Sequence, residues 1–299
     1  MAGTKEQIAD WFHGLQSRIC ASIEEADGGG GFQSETWERP GGGGGHTRVI
    51  ENGKIISKGG VNFSVVHGSL PDKIQKALGV DSDAFFATGV SIVMHPDNPH
   101  VPIIHMNVRY FEMSEDVWWF GGGIDLTPHY VVQDQADWFH AQLKQVCDLH
   151  DPAYHPRFSK WADEYFYIKH RKESRGVSGI FFDRLSTATE GKSKSDLFAF
   201  VQAVGEQFAP IYTQLMLANH QKPFTDLHKA WQMHRRSRYV EFNLVLDKGT
   251  KFGLDTDGRI DSILMSLPPE TGWKYTQDWP IDGEEMQTQA YLQSVHVPE

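Results

Sequence analysis

The chain has 299 residues, 22 % charged, 39 % hydrophobic and 12 % aromatic, the mixture of a folded globular protein rather than a disordered one. Its 28 lysines and arginines against 39 aspartates and glutamates leave a net charge of −11, which excludes bulk attraction to nucleic acid or an anionic membrane. An anionic small ligand needs only a local cluster of arginines and stays open. With no run of about 20 apolar residues, no stable membrane insertion is expected. The start MAGTKEQIADWF has neither an apolar signal core nor an Arg/Ser-rich presequence, so a cytoplasmic location is the expectation. Cys20 and Cys147 have no metal-ligand spacing and read as buried free thiols.

The first element is a helix over 4–27, with Thr4 and Gln7 as a capping box and Ile8, Phe12, Leu15, Ile19 and Ile23 on one face. Two glycine-rich loops follow, 28–31 and 41–45, around the strand-like SETWER; they read either as linker or as a loop that closes over a ligand. From residue 46 the period changes to two. TRVIENGKIISKGG carries the hairpin signal Asn52-Gly53, and VNFSVVH, FFATGVSIVMH and PIIHMNVRYFE continue as strands. Helices are expected at about 135–150, 156–174, 195–221 and 225–236. RYVEFNLVLD, KFGLDTDG and DSILMSLPP then read as a return to strands. Strands, then helices, then strands predict an α+β fold with a mostly antiparallel sheet. No linker splits the chain, so residues 1–299 are read as one domain.

Because strand side chains alternate faces, the strands sort into two sides. Ile104, Met106, Val108 and Tyr110 oppose His105, Asn107 and Arg109; Val90, Ile92 and Met94 oppose Ser91 and His95. Val61, Phe63 and Val65 oppose Asn62 and Ser64, and Val240, Phe242, Leu244 and Leu246 oppose Tyr239, Glu241 and Asn243. An ordinary half-solvated sheet is one reading. The other is a cleft floor, favoured because the polar side carries His, Asn, Ser and Arg instead of Lys, Glu and Thr.

WWFGGGIDLTP (118–128) places three glycines and Asp125 beside bulky aromatics. No Lys-Ser/Thr follows, so it is not a phosphate loop. Trp118, Trp119 and Phe120 read as seating the segment in the fold. His95, His105, His140 and His170 lack compact metal-ligand spacing, and hydrogen bonding competes with metal binding as their role. Two basic groups stand out, Arg157, Lys160, Lys169, Arg171, Lys172 and Arg175, and Lys229, Arg235, Arg236 and Arg238. They read as solvated helix faces or, with Arg109 and Arg259, as receivers of carboxylates.

Together GVSIVMHPDNP, HMNVRYFE, WWFGGGIDLTP, DEYFYIKHRKESRG, GIFFDRL and RSRYVEFNLV, collinear over about 58–269, resemble the oxygen-dependent coproporphyrinogen III oxidases. The resemblance implies a large flat seven-stranded antiparallel sheet covered by α-helices on both faces, in a homodimer joined through about 239–275. It implies oxidative decarboxylation of two propionates of coproporphyrinogen III to vinyl groups. The products are protoporphyrinogen IX, CO2 and H2O2, with dioxygen as co-substrate. No cofactor is strictly required, since reduced pyrroles can give electrons to dioxygen themselves. The motif matches assign Asp125 to the macrocycle's N–H groups and His105 to proton donation, with Arg109 beside a propionate. They assign Ser91, Asn107, Val108, Arg109, Asp257, Gly258 and Arg259 to substrate binding, and His95, His105, His140 and His170 to a divalent metal. Ser178 and Arg184 depart from the pattern, which has a glycine and an acid there. Two rivals are a non-catalytic tetrapyrrole carrier and a metal-dependent oxidase.

Overall fold

In the computed structural model, residues 3–69, 84–255, 258–275 and 279–295 are described. Helix α1 (Lys5–Asp27) begins at the reciprocal Thr4/Gln7 cap and buries Ile8, Phe12, Leu15, Ile19 and Ile23, as its spacing predicts. Asp27, its last residue, accepts from the backbone N–H groups of Gly30, Lys54, Ile55 and Ile56 at 2.8–2.9 Å. The glycine tract after α1 is therefore stitched to a hairpin turn by one buried carboxylate.

That turn, with Asn52 at φ 55°, joins two of seven sheet strands. They are β1 (Gln33–Glu38), β2 (Gly43–Glu51), β3 (Ile56–Ser69), β4 (Ala84–Pro96), β5 (Ile103–Glu112), β6 (Trp118–Thr127) and the edge strand β9 (Ser178–Leu185). They lie in that spatial order, every neighbouring pair antiparallel. The second glycine tract corrects its loop reading in part: Gly41 and Gly42 lie in a turn, but Gly43, Gly44 and Gly45 are strand residues, the last two paired on both sides. A Cβ on Gly44 would lie 2.2 Å from the Trp37 carbonyl oxygen, and one on Gly45 would lie 2.3 Å from the Trp37 ring. Glycine here serves close approach rather than mobility.

Between β6 and β9 run α2 (Gln133–Asp148), α3 (Tyr154–Tyr165) and a short hairpin of β7 (Tyr167–Ile168) and β8 (Glu173–Ser174). The helix expected over 156–174 thus stops at Tyr165, and the chain reverses through Lys172 at φ 55°. After β9 come α4 (Thr187–Glu190), α5 (Lys194–Asn219) and α6 (Asp226–Glu241), which continues as a π-helical turn Phe242–Leu246. Helices α7 (Lys248–Asp255), α8 (Ile260–Leu264) and α9 (Glu284–Ser294) complete the described chain.

The late strands are corrected: RYVEFNLVLD, KFGLDTDG and DSILMSLPP lie mainly in α6, the π turn, α7 and α8. Buried Arg235, Arg236, Tyr239, Val240 and Asn243 recur at helical spacing, whereas Leu244 and Val245 face solvent. Alternating apolar residues in so short a run fit either period, and the pattern alone does not choose. The face sorting of β3, β4 and β5 holds. Val61, Val90, Ile92, Met106 and Val108 enter one core with α1, α2 and α5.

Candidate active site

Cross-strand partners share a face, so the register maps the side of the sheet away from that core. One row runs Gly45, Ser64, Gly89, Arg109, Gly121. The next runs Thr47, Asn62, Ser91, Asn107, Gly123, Phe181. A third runs Gly60, Val93, His105, Asp125, Gly179. From β2 to β6, strands about 4.8 Å apart make a floor roughly 19 Å wide. Glycines leave much of it as bare backbone.

Aromatic rings bound this floor. Phe85 stacks on Phe111 at 5.9 Å and Phe111 on Trp119 at 4.5 Å, beyond Arg109. At the β9 edge Phe181 stacks on Tyr165 at 4.3 Å. At the β1 edge the Trp37 indole covers Gly45, its Nε1 donating to Thr47 Oγ1 at 3.0 Å. Helices close the remaining end, where Met265 packs on Gly60 and Tyr239 sits edge-on to His95. The expected structural task therefore holds for Phe120, which is in the core, whereas Trp119 faces the floor.

At the helix-covered end, His105 Nδ1 lies 2.8 Å from Asp125 Oδ2. A carboxylate only accepts, so Nδ1 carries the proton and Nε2 is left free. The His105 side chain is 26 % exposed and that of Asp125 3 %. Arg175 takes the other oxygen of Asp125 and is itself buried. Its guanidinium packs over the rings of Phe166, Tyr239 and Phe242 at 4.3, 4.7 and 4.8 Å. Burial works against ionisation of Asp125, but Arg175 and His105 outweigh it and hold its pKa low. Burial likewise opposes the charge on Arg175, and Asp125 restores it. The buried carboxylate thus stays charged beneath a histidine that reaches the floor.

Of the expected site residues, Ser91, Asn107, Arg109, His105 and Asp125 come together on one face. The Val108 side chain points into the core, leaving only its backbone for the floor. Arg259 precedes α8 and donates to Glu35 and Ser262, with Gly258 beside it; Asp257 lies outside the described residues. The four histidines do not converge. His95 bonds Ser266 O at 2.8 Å, His140 bonds Val177 O at 2.8 Å, and His170 meets Glu241 at 3.1 Å near the surface. Among the described residues no three His, Cys, Asp or Glu are grouped to hold a metal. These donors, each engaged by a partner within the chain, do not fit a metal centre.

The first basic group is largely a solvated face, with Arg157, Lys160, Lys169, Arg171 and Lys172 exposed, whereas the arginines of the second are built into the fold. Arg235 and Arg238 pair with buried Glu173, Arg236 donates to Pro96 O, and Arg171 pairs with Glu241. Arg175 is the exception, and no spacing signal marks it as the partner of Asp125. Both departures from the family pattern, Ser178 and Arg184, have positive φ, 66° and 54°. Ser178 stands where glycine is strain-free.

Fold and site define an antiparallel α+β protein with a glycine-floored, aromatic-walled cleft and a carboxylate–histidine pair at one end. The coproporphyrinogen III oxidase pattern matches residues 7–296, and the chain belongs to that family. It is 44 % identical to the oxygen-dependent coproporphyrinogen-III oxidase of Prochlorococcus marinus, over 94 % of this chain and 89 % of that protein. It is 47 % identical to the chloroplastic oxygen-dependent enzyme of Glycine max, over 90 % of this chain and 73 % of that one. With coproporphyrinogen-III oxidase 1, chloroplastic, of Arabidopsis thaliana the identity is 46 %, over 89 % of this chain and 74 % of the relative.

Proposed function

We infer that this protein is an oxidoreductase of haem biosynthesis that converts coproporphyrinogen III to protoporphyrinogen IX. Each reacting propionate loses CO2 and a hydride equivalent from its β carbon, leaving a vinyl group. Dioxygen takes the two electrons, one proton comes from that carbon and a second from the site, and H2O2 leaves. Family membership at 44–47 % identity carries this conclusion. The cleft supports it: bare strand backbone accepts a broad ring, and Arg109 with Arg259 supplies cations for carboxylates.

In this reading His105 Nε2 is the group presented to the ligand, and it exchanges protons with the macrocycle or the reacting side chain. Asp125 lies behind it with both oxygens engaged, so its task is to fix the His105 tautomer and hold the ring with Nε2 turned to the ligand. This differs from a carboxylate open to the pyrrole N–H groups. Arg109, held over Gly121, orients a propionate, and Ser91, Asn107 and Asn62 supply polar contacts along the floor. The proposal assigns no resident metal or flavin, because the reduced pyrroles are the electron source.

A homodimer through about 239–275 belongs to the same proposal. Leu244, Val245, Phe252, Leu254, Ile260, Trp273 and Tyr275 are exposed in that region, and apolar surface of this kind marks interfaces. A cytoplasmic location is proposed with it and is tested by cell fractionation. Among the described residues no helix is long and apolar enough to cross a membrane.

The direct test presents purified protein with anaerobically prepared coproporphyrinogen III and then admits air. Oxygen uptake, CO2, H2O2 and a divinyl product above the autoxidation background are expected. Tight binding without vinyl product supports a carrier instead.

A further inference from the structure

Both arginines read above as receivers of ligand carboxylates already hold a carboxylate from this chain. Arg109 donates through Nη1 to Asn107 Oδ1 at 2.7 Å and through Nη2 to Asp183 Oδ1 at 2.9 Å. Arg259 donates through Nη2 to Glu35 Oε1 at 2.6 Å and through Nη1 to Ser262 Oγ at 3.4 Å. Glu35 is paired with Thr47 in the register and so belongs to the floor's own face. Asp183 sits in β9, beyond Gly121, where a Cβ would lie 2.5 Å from its Oδ1. The two pairs occupy opposite edges of the cleft.

We propose that Glu35 and Asp183 are intramolecular stand-ins for the ligand's carboxylates, and that they set the affinity of the site by being exchanged on binding. A propionate meeting Arg109 or Arg259 finds the guanidinium neutralised. It must displace the resident acid or share one cation between two anions, which is repulsive. Displacement is feasible because neither acid is buried: the Glu35 side chain is 62 % exposed and that of Asp183 32 %, so each can return to water. The device keeps the arginines oriented in the empty site and weakens the grip on carboxylates, which favours release of a product that still carries two. Ligands without carboxylates feel neither the attraction nor the competition.

The inference rests on Arg109 and Arg259 binding carboxylates, and the experiment separates the two ideas. Coproporphyrin III and its tetramethyl ester, stable oxidised probes, are titrated into wild-type protein and into Glu35→Gln, Asp183→Asn, Arg109→Ala and Arg259→Ala. Each acid variant is expected to bind the free acid roughly three- to fivefold more tightly, as loss of one exposed competing ion pair implies. Ester binding should not change, and in turnover KM for the porphyrinogen should fall in parallel. Unchanged or weaker binding in both acid variants overturns the proposal and makes the acids supports for the arginines. Unchanged free-acid binding in both arginine variants overturns the carboxylate-receiving role itself. Glu35→Gln, at an exposed edge strand, decides the matter alone if Asp183→Asn does not fold.

Discussion

Asp125 is gripped from two sides: His105 Nδ1 lies 2.8 Å from one oxygen, and buried Arg175 holds the other. Removing Arg175 leaves a buried carboxylate with one neutralising partner, and breaking a buried pair this way costs on the order of 3–5 kcal/mol. We therefore predict that Arg175→Met lowers thermal stability markedly. Arg175→Lys keeps the charge but loses the planar fork, so it should fold and lose roughly 10- to 100-fold in kcat with a smaller change in KM. Steady-state kinetics with melting curves checks both. Wild-type kcat in Arg175→Lys would show that the orientation of Asp125 does not matter.

Ser178 is strained and carries a cost that glycine removes. It has φ 66°, and its buried hydroxyl has no hydrogen-bond partner. Ser178→Gly should stabilise the protein by about 1 kcal/mol, the penalty of the left-handed region for a residue with Cβ. Chemical denaturation reads this directly. A destabilised variant contradicts the geometry at β9.

Asp27 gives a pH signature of the fold. Burial opposes its charge, but four backbone N–H donors outweigh that and lower its pKa from the usual carboxylate value. A lowered carboxyl pKa adds stability that is complete above the unfolded value of about 4, and it is lost as pH falls through the folded value. Asp27→Asn should cost about 3 kcal/mol at neutral pH, since an amide cannot accept all four bonds. Its deficit should shrink in acid. A deficit independent of pH would contradict the role of the charge.

Exposed Trp273 and Ile260 test the interface. Trp273→Glu with Ile260→Glu should shift the protein from dimer to monomer in analytical ultracentrifugation without altering the sheet. A dimer that persists places the contact elsewhere.

The sheet is legible in the sequence because β3, β4 and β5 carry apolar residues at every second position, Val61 and Phe63, Val90 and Ile92, Met106 and Val108, and these face one core. That same alternation is enough to put Ser91, Asn107, Arg109 and His105 on one side. Short runs are not legible: at 239–246 the apolar positions fit a strand face, yet the chain buries Tyr239, Val240, Phe242 and Asn243 in helical turns and leaves Leu244 exposed. Glycines 43–45 read as flexible because composition cannot reveal what lies against them, the Val65 backbone at Gly43 and Trp37 at Gly44 and Gly45. Arg175, Asp183 and Glu35 escape for a related reason. Their roles are pairings across 50, 74 and 224 positions of chain, and no local pattern encodes them.

A buried, charged Asp125 should make His105 competent for the chemistry while contributing little to binding. Single-turnover product analysis of Asp125→Asn, alongside titration with coproporphyrin III, tests it most directly. Binding within a few-fold of wild type is predicted, with a loss of vinyl product formation of at least about a hundredfold. Turnover near the wild-type rate, or loss of binding equal to the loss of rate, would contradict it.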